Sequence, residues 1–187
     1  MVEATPQINH EAFSWATTQF WAANVAAWAE HIAEHSGREI NESTVEATTL
    51  ATYRYGKQMS AFDLLGASAI ANELTRSVAT FFAEYDLMLT PSNKGVAAPL
   101  GVYNANDSSL SAHEWVDHIF SFAPFTALFN MTGQPAISLP LQHSPDGLPI
   151  GMQLVASFGR EDLLLQLAKS LEDAKPWPAT SPLWMNN

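Results

Sequence analysis

The sequence has no cysteine, which excludes disulfides, thiolate catalysis and cysteine-ligated zinc. Charge is also scarce. Asp, Glu, Lys and Arg make up only 14% of the residues. A freestanding domain usually carries more to cover its outside, so some apolar surface is expected to meet another segment or subunit. Positive charge is the scarcest. Eight Lys and Arg lie scattered among 19 Asp and Glu, for a net charge of −11. A phosphate-binding surface needs clustered cations, so nucleic acid is not an expected partner. The nine glycines are never adjacent, leaving no phosphate cradle and no G-x-S-x-G nucleophile elbow. No Lys stands three residues after a Ser, so the Ser-x-x-Lys motif is missing too. The opening MVEATPQINHEAF lacks a basic region ahead of an apolar core, so no signal peptide is expected. Polar residues interrupt the apolar stretch 12–33, which reads as a helix and not as a membrane span. A cytoplasmic location follows as the default.

What is present fits one domain. A chain of 187 residues should bury roughly 70% of its unfolded surface. Residues 11–35 are expected to be helical, with Trp21, Val25, Trp28 and Ile32 forming one apolar stripe and Gly37 ending the helix. A second helix is expected over 42–55, capped by Asn41. A third runs from Ser60 to about Glu84, with Phe62, Leu65, Ala69, Leu74, Val78 and Phe81 in line. The apolar run 86–91 closes on a proline and reads as a buried strand. Residues 92–111 have no period and form a long loop, functional or a cover. Short helices follow at 113–120 and 124–131. Strands at 136–140 and 151–156 flank the turn Ser144-Pro-Asp-Gly147 and make a hairpin or close neighbours. The final helix should start near Glu161 and Asp162 and bury Leu163, Leu164, Leu167 and Leu171. The tail 177–187 is expected to be irregular. About three strands are few for a sheet, and the middle of a larger α/β sheet is missing.

Candidate chemistry is thin. His31 and His35, four apart with Glu34 between, have a metal-ligand spacing. Ile32 stands where a zinc-protease motif needs Glu, so a solvated helix face is the simpler reading. His143, Ser144 and Asp146 carry the residue types of a serine triad, but neighbours in one turn cannot converge as a triad must. His113 with Asp117, and Glu114 with His118, are i,i+4 pairs that could form weak ion pairs. Tyr103, Phe122 and Phe125 could line an apolar pocket or simply be core. No cofactor or metal is called for.

Residues 125–140, FTALFNMTGQPAISLP, resemble the C-terminal hallmark of the amidase-signature enzymes. DGLPIGMQLV (146–155), GREDLLLQLA (159–168) and YDLMLTP (85–91) are similar to the family's neighbouring blocks, in the family's order. The match is strongest over 50–175. Within the family it looks most like bacterial amidases of the aminohexanoate cyclic-dimer hydrolase type. The resemblance implies an α/β fold, the C-terminal portion of a mixed sheet flanked by helices, incomplete in this chain. Residues 1–187 would then be a single partial amidase domain. Complete members cleave carbon–nitrogen amide bonds by a Ser-Ser-Lys mechanism with a backbone oxyanion hole. The motifs that carry this triad are absent here, and Lys57 and Lys94 fall in the wrong blocks to replace them. The resemblance therefore implies no catalytic residue in this chain. It implies that this part supplies a piece of the substrate-pocket wall, for which Tyr103, Phe122 and Phe125 are the candidates, and it makes Asn130, Gly133, Gln134 and Pro135 a structural motif. Asn130 would bond exposed carbonyls near a helix end or the neighbouring loop, Gly133 would take a positive φ, and Pro135 would set the entry to a strand.

Three functions stay open on sequence grounds. The chain is the C-terminal fragment of an amidase, inactive alone. Or it is one chain of a split amidase whose N-terminal partner brings the triad. Or it is a non-catalytic binding or scaffold protein. A small amide would be bound only by a complete enzyme, and self-association is expected of the isolated chain.

Overall fold

The computed structural model describes residues 1–177. Helix α1 (His10–Ser36) starts on Asn9, whose side chain accepts from the Ala12 amide, and ends at Gly37 with φ 66°. The stripe marked by the sequence does not face the interior. Trp21, Trp28 and Ile32 are 40%, 63% and 59% exposed. The buried face consists of Ala16, Thr18, Gln19, Ala22 and Ala26. Close helix packing is the cause. A Cβ on Gly56 of α2 (Ala47–Gln58) would lie 2.2 Å from the Ala22 carbonyl oxygen. One on Gly66 of α3 (Ala61–Phe81) would lie 3.3 Å from the Trp15 ring. Between helices this near only small or flat groups fit, so the bulky stripe is turned outward. Buried Gln19 is satisfied by the Tyr55 hydroxyl at 2.9 Å.

Helix α2 begins five residues later than the sequence suggests, at Ala47. Asn41 does not cap it. Its Oδ1 accepts from the Ser43 amide at 2.9 Å, a local Asx turn. The cap comes from the long loop instead. The Ala105 carbonyl accepts from the Thr48 amide at 2.9 Å, and Asn106 Oδ1 accepts from the Ala47 amide at 3.4 Å. Loop 92–111 therefore closes the start of α2. Helix α3 is capped by Ser60 as the sequence suggests; the cap is a capping box with Asp63, and the helix ends at Phe81, before the expected Glu84. Ala67, Leu74 and Val78 are its buried residues. Phe62 and Leu65, in the first half of the expected stripe, are 85% and 66% exposed.

Strands β1 (Leu87–Pro91), β2 (Ala136–His143) and β3 (Pro149–Ala156) form one antiparallel sheet in the order β1-β3-β2. β2 and β3 are a hairpin, closed by Gly147 at φ 82° and longer than the sequence marks. A bulge breaks the register between Leu139 and Gln142. Helices α4 (Ala112–Phe120) and α5 (Ala127–Thr132) precede the hairpin, and α6 (Glu161–Ala174) follows it. One sheet face packs Val155 and Met88 against Val78, Phe82, Leu128 and Phe129. The other packs Leu139, Leu154 and Ala156 under Leu164, with Leu167, Leu171 and Trp177 at the margin. Of the four leucines assigned to the buried face of α6, only Leu164 is fully covered, at 3% exposure. β1 is not the buried strand expected from its sequence: Leu89 is 43% exposed. Residues 178–187, most of the expected irregular tail, lie outside the described residues. Among the described residues no helix is long and apolar enough to cross a membrane.

Candidate functional site

Side chains alternate along a strand, so Thr90, Ser138 and Gln153, which share one register row, lie on one face of the sheet. Gln153 is buried at 4% exposure. Its Nε2 donates to Thr90 Oγ1 at 3.1 Å and to the Phe125 carbonyl at 3.0 Å. One pleat further along, the Ser92 and Ser138 hydroxyl oxygens are 2.5 Å apart. Gly151 lies beneath them. A Cβ there would come within 2.8 Å of Ser92 Oγ and 3.1 Å of Ser138 Oγ, so the glycine is what lets the two hydroxyls meet.

The aromatic candidates attach to this same end of the sheet. The Phe122 carbonyl accepts from the Lys94 amide at 2.9 Å, two residues beyond Ser92. The Tyr103 ring lies 5.7 Å from Phe122 and 4.9 Å from His118. Phe125 is tied to the sheet through its carbonyl on Gln153. The structure thus joins Tyr103 to Phe122 directly and brings Phe125 to the same strands by a separate bond.

In the motif, Gly133 ends α5 at φ 80°, with its amide on the Phe129 carbonyl. Gln134 is buried and accepts from the Thr132 hydroxyl. The Pro135 carbonyl accepts from the Ala156 amide at 3.1 Å. Asn130 is exposed, and its side chain holds no carbonyl among the described residues, because Gly133 already closes the helix end. It lines a groove of 590 Å³ with Trp21, Phe120 and Met131.

The remaining candidates are explained by structure. The His31 and His35 rings are 4.1 Å apart, and His35 Nδ1 is engaged by the His31 carbonyl at 2.8 Å. Ser144 Oγ accepts from the Leu148 amide at 3.1 Å, so its role is in the turn. Neither i,i+4 pair forms. Glu114 is taken by the capping box on Ser111, Asp117 accepts from Ser14, and His113 packs edge-on against Tyr55. Lys57 is bonded to Glu30 at 2.7 Å, which raises the pKa of the ammonium and lowers that of the carboxylate. A lysine base needs the opposite shift. Among the described residues, Ser92 and Ser138 bond each other and no histidine, lysine or carboxylate. They can hold a polar group but are not activated for attack. Sequence reasoning passed over this pair and Gln153. The available signal was Thr90, Ser138 and Gln153, each a single polar residue within an apolar run.

Comparison with known proteins accords with this geometry. A family model described as Amidase matches residues 2–165. The 6-aminohexanoate-cyclic-dimer hydrolase of Paenarthrobacter ureafaciens is 34% identical over 166 residues, which are 87% of this chain and 34% of that protein. A protein of the same name from Pseudomonas sp. strain NK87 is 61% identical over 62 residues, 33% of this chain and 13% of its own length. The solved structure of 6-aminohexanoate cyclic dimer hydrolase superposes with a TM-score of 0.85 at 31% identity, covering 99% of this chain and 39% of that one. The chain therefore spans well under half the length of these relatives.

Proposed function

We propose, from the premise that this chain belongs to the amidase family, that it supplies the C-terminal sheet and part of the pocket wall of an amide-bond hydrolase. The nucleophile and its lysine come from the remainder of that fold by the Ser-Ser-Lys mechanism, and the isolated chain is inactive. One observation carries this. Nearly the whole chain superposes on less than half of a complete hydrolase, while its own paired hydroxyls, Ser92 and Ser138, have no base. Tyr103, Phe122 and Phe125 are assigned to the pocket wall because they stand at the sheet end that carries those hydroxyls. The substrate class is a linear or cyclic amide, as the names of the relatives suggest. The remainder of the fold is either continuous with this chain or a separate partner chain in the same, cytoplasmic, compartment.

The test uses two proteins and 6-aminohexanoate cyclic dimer as the substrate. The purified chain is expected to show no turnover. A fusion in which this chain replaces the matched segment of the P. ureafaciens hydrolase is expected to cleave the dimer. Turnover by the isolated chain that vanishes with Ser92→Ala would overturn the inactivity. A folded fusion without turnover would count against the amidase assignment and favour a binding role.

A further inference from the structure

One face of the sheet is apolar at Val155 and Met88, which pack against Val78, Phe82, Leu128 and Phe129. One pleat further along, the same face carries the buried Gln153. A buried carboxamide costs free energy unless its hydrogens find acceptors. Here both do. Nε2 donates to Thr90 Oγ1 and to the Phe125 carbonyl. The first bond crosses from β3 to β1 and fixes the plane of the amide. The second leaves the sheet.

The acceptor of that second bond has no helical partner. Phe125 stands one residue before Thr126, the N-cap of α5, so its carbonyl lies outside the ladder of that helix. It belongs to segment 121–126, between α4 and α5, which carries both Phe122 and Phe125. At Phe122 the segment is held by a backbone bond from the Lys94 amide. At Phe125 it is held by a side chain. That side chain rises from β3, which is paired on both sides, so its root is as rigid as the sheet.

We propose that Gln153 is a positioning residue for the substrate: through the Phe125 carbonyl it sets the place of the aromatic wall, and with it the affinity for the amide. Buried, it acts through Phe125 and not by contact. This rests on the proposed function, in which Phe122 and Phe125 belong to the pocket wall. A glutamine is needed because the acceptor is a carbonyl. Methionine would fill the same space with no hydrogen to give, and a carboxylate would turn a second acceptor on the Phe125 oxygen.

The fusion described above tests this when it carries Gln153→Glu. With 6-aminohexanoate cyclic dimer at about pH 8, KM should rise about 10-fold and kcat stay within about 2-fold, the mark of lost binding. A buried glutamate has a raised pKa and regains a donor on taking up a proton. The ratio of its KM to that of the parent fusion should therefore fall towards unity by about pH 5. Gln19→Glu is the control. Gln19 is also buried and is bonded to Tyr55, and its variant should leave KM unchanged at every pH, whatever stability it loses. An active Gln153→Glu fusion with unchanged KM, with a loss confined to kcat, or with a KM ratio flat in pH would overturn the inference and leave the amidase reading standing. A parent fusion that folds without turnover would overturn both.

Gln153→Met guards against a buried carboxylate that prevents folding. It should give the same rise in KM with no recovery in acid, and a normal KM would sink the proposal. Amide exchange in the chain alone adds a readout independent of turnover. In Gln153→Met the Lys94 amide should exchange about 10-fold faster, while the Ser92 amide, bonded to the Gly151 carbonyl, is unchanged. Equal behaviour of the two amides would show that Gln153 does not hold the segment, and would overturn the inference.

Discussion

In the hairpin, Leu139, Leu154 and Ala156 are 6%, 4% and 0% exposed beneath Leu164. In the second half of α1, Trp28 and Ile32 are 63% and 59% exposed. Both regions carry strongly apolar stripes. The hairpin finds its cover eight residues on, in α6, at helical spacing. Helix α1 has already spent its contacts on α2 and α3 through small residues, and Trp28 and Ile32 on its outer face are left largely exposed among the described residues. Apolar periodicity thus identifies a face that needs covering, and the length of chain at hand decides whether that face becomes core or interface.

Substitutions can break or sharpen this contrast. The largest effect is expected from Leu164→Ala, about 2–5 kcal/mol. Leu165→Ala, at a position 64% exposed, should stay within about 0.5 kcal/mol. Denaturant titration compares the two, and equal effects would show that α6 is not docked. Leu167, only half-buried, should fall between them. Next is Gly56→Ala, expected to cost about 1–3 kcal/mol by forcing α2 away from the Ala22 carbonyl. A neutral result would mean that small residues on α1 are not what displaces its aromatic stripe.

Smaller still is Ser111→Ala, which removes the N-cap of α4 at a cost of about 1 kcal/mol. The same boxes give an acid response. Hydrogen bonds from Ser111 and Ser60 lower the pKa values of Glu114 and Asp63 below 4.5 and 3.8. Their folded-state values are depressed, so the stabilisation is complete above the ordinary carboxylate range and is lost as pH falls through the lowered values. Melting temperature should drop below pH 4.5, and less steeply in Ser111→Ala. The smallest effect is expected from Trp28→Ala, within about 0.5 kcal/mol, accompanied by weaker binding of an apolar dye. A large loss of stability there would move α1's outer face back into the core.

Features set by local chemistry were legible in the sequence. The cap at Ser60, the left-handed glycines 37 and 133, and the turn before Gly147 all depend on residues within four positions. The start of α2 was not legible, because the groups that satisfy it, Ala105 and Asn106, are far away in sequence and compete with a plausible local cap at Asn41. Orientation of stripes was also hidden, since the depth of Gly56 against Ala22 depends on two helices meeting. At the candidate site the aromatic residues could be named, but not the contact of Ser92 with Ser138. That contact needs β1 and β2 placed on either side of β3, and strand order is not written in any one segment.

The capping of α2 by the long loop has a kinetic consequence. Thr48 and Ala105 are 57 residues apart in the chain, so the first turn of α2 is completed only after a large loop has closed. Loop closure costs entropy before the contact returns anything. That turn should therefore form late, after α3 and the hairpin have brought the two segments together. Removing the Thr48 hydroxyl should then hasten unfolding and leave the refolding rate almost untouched.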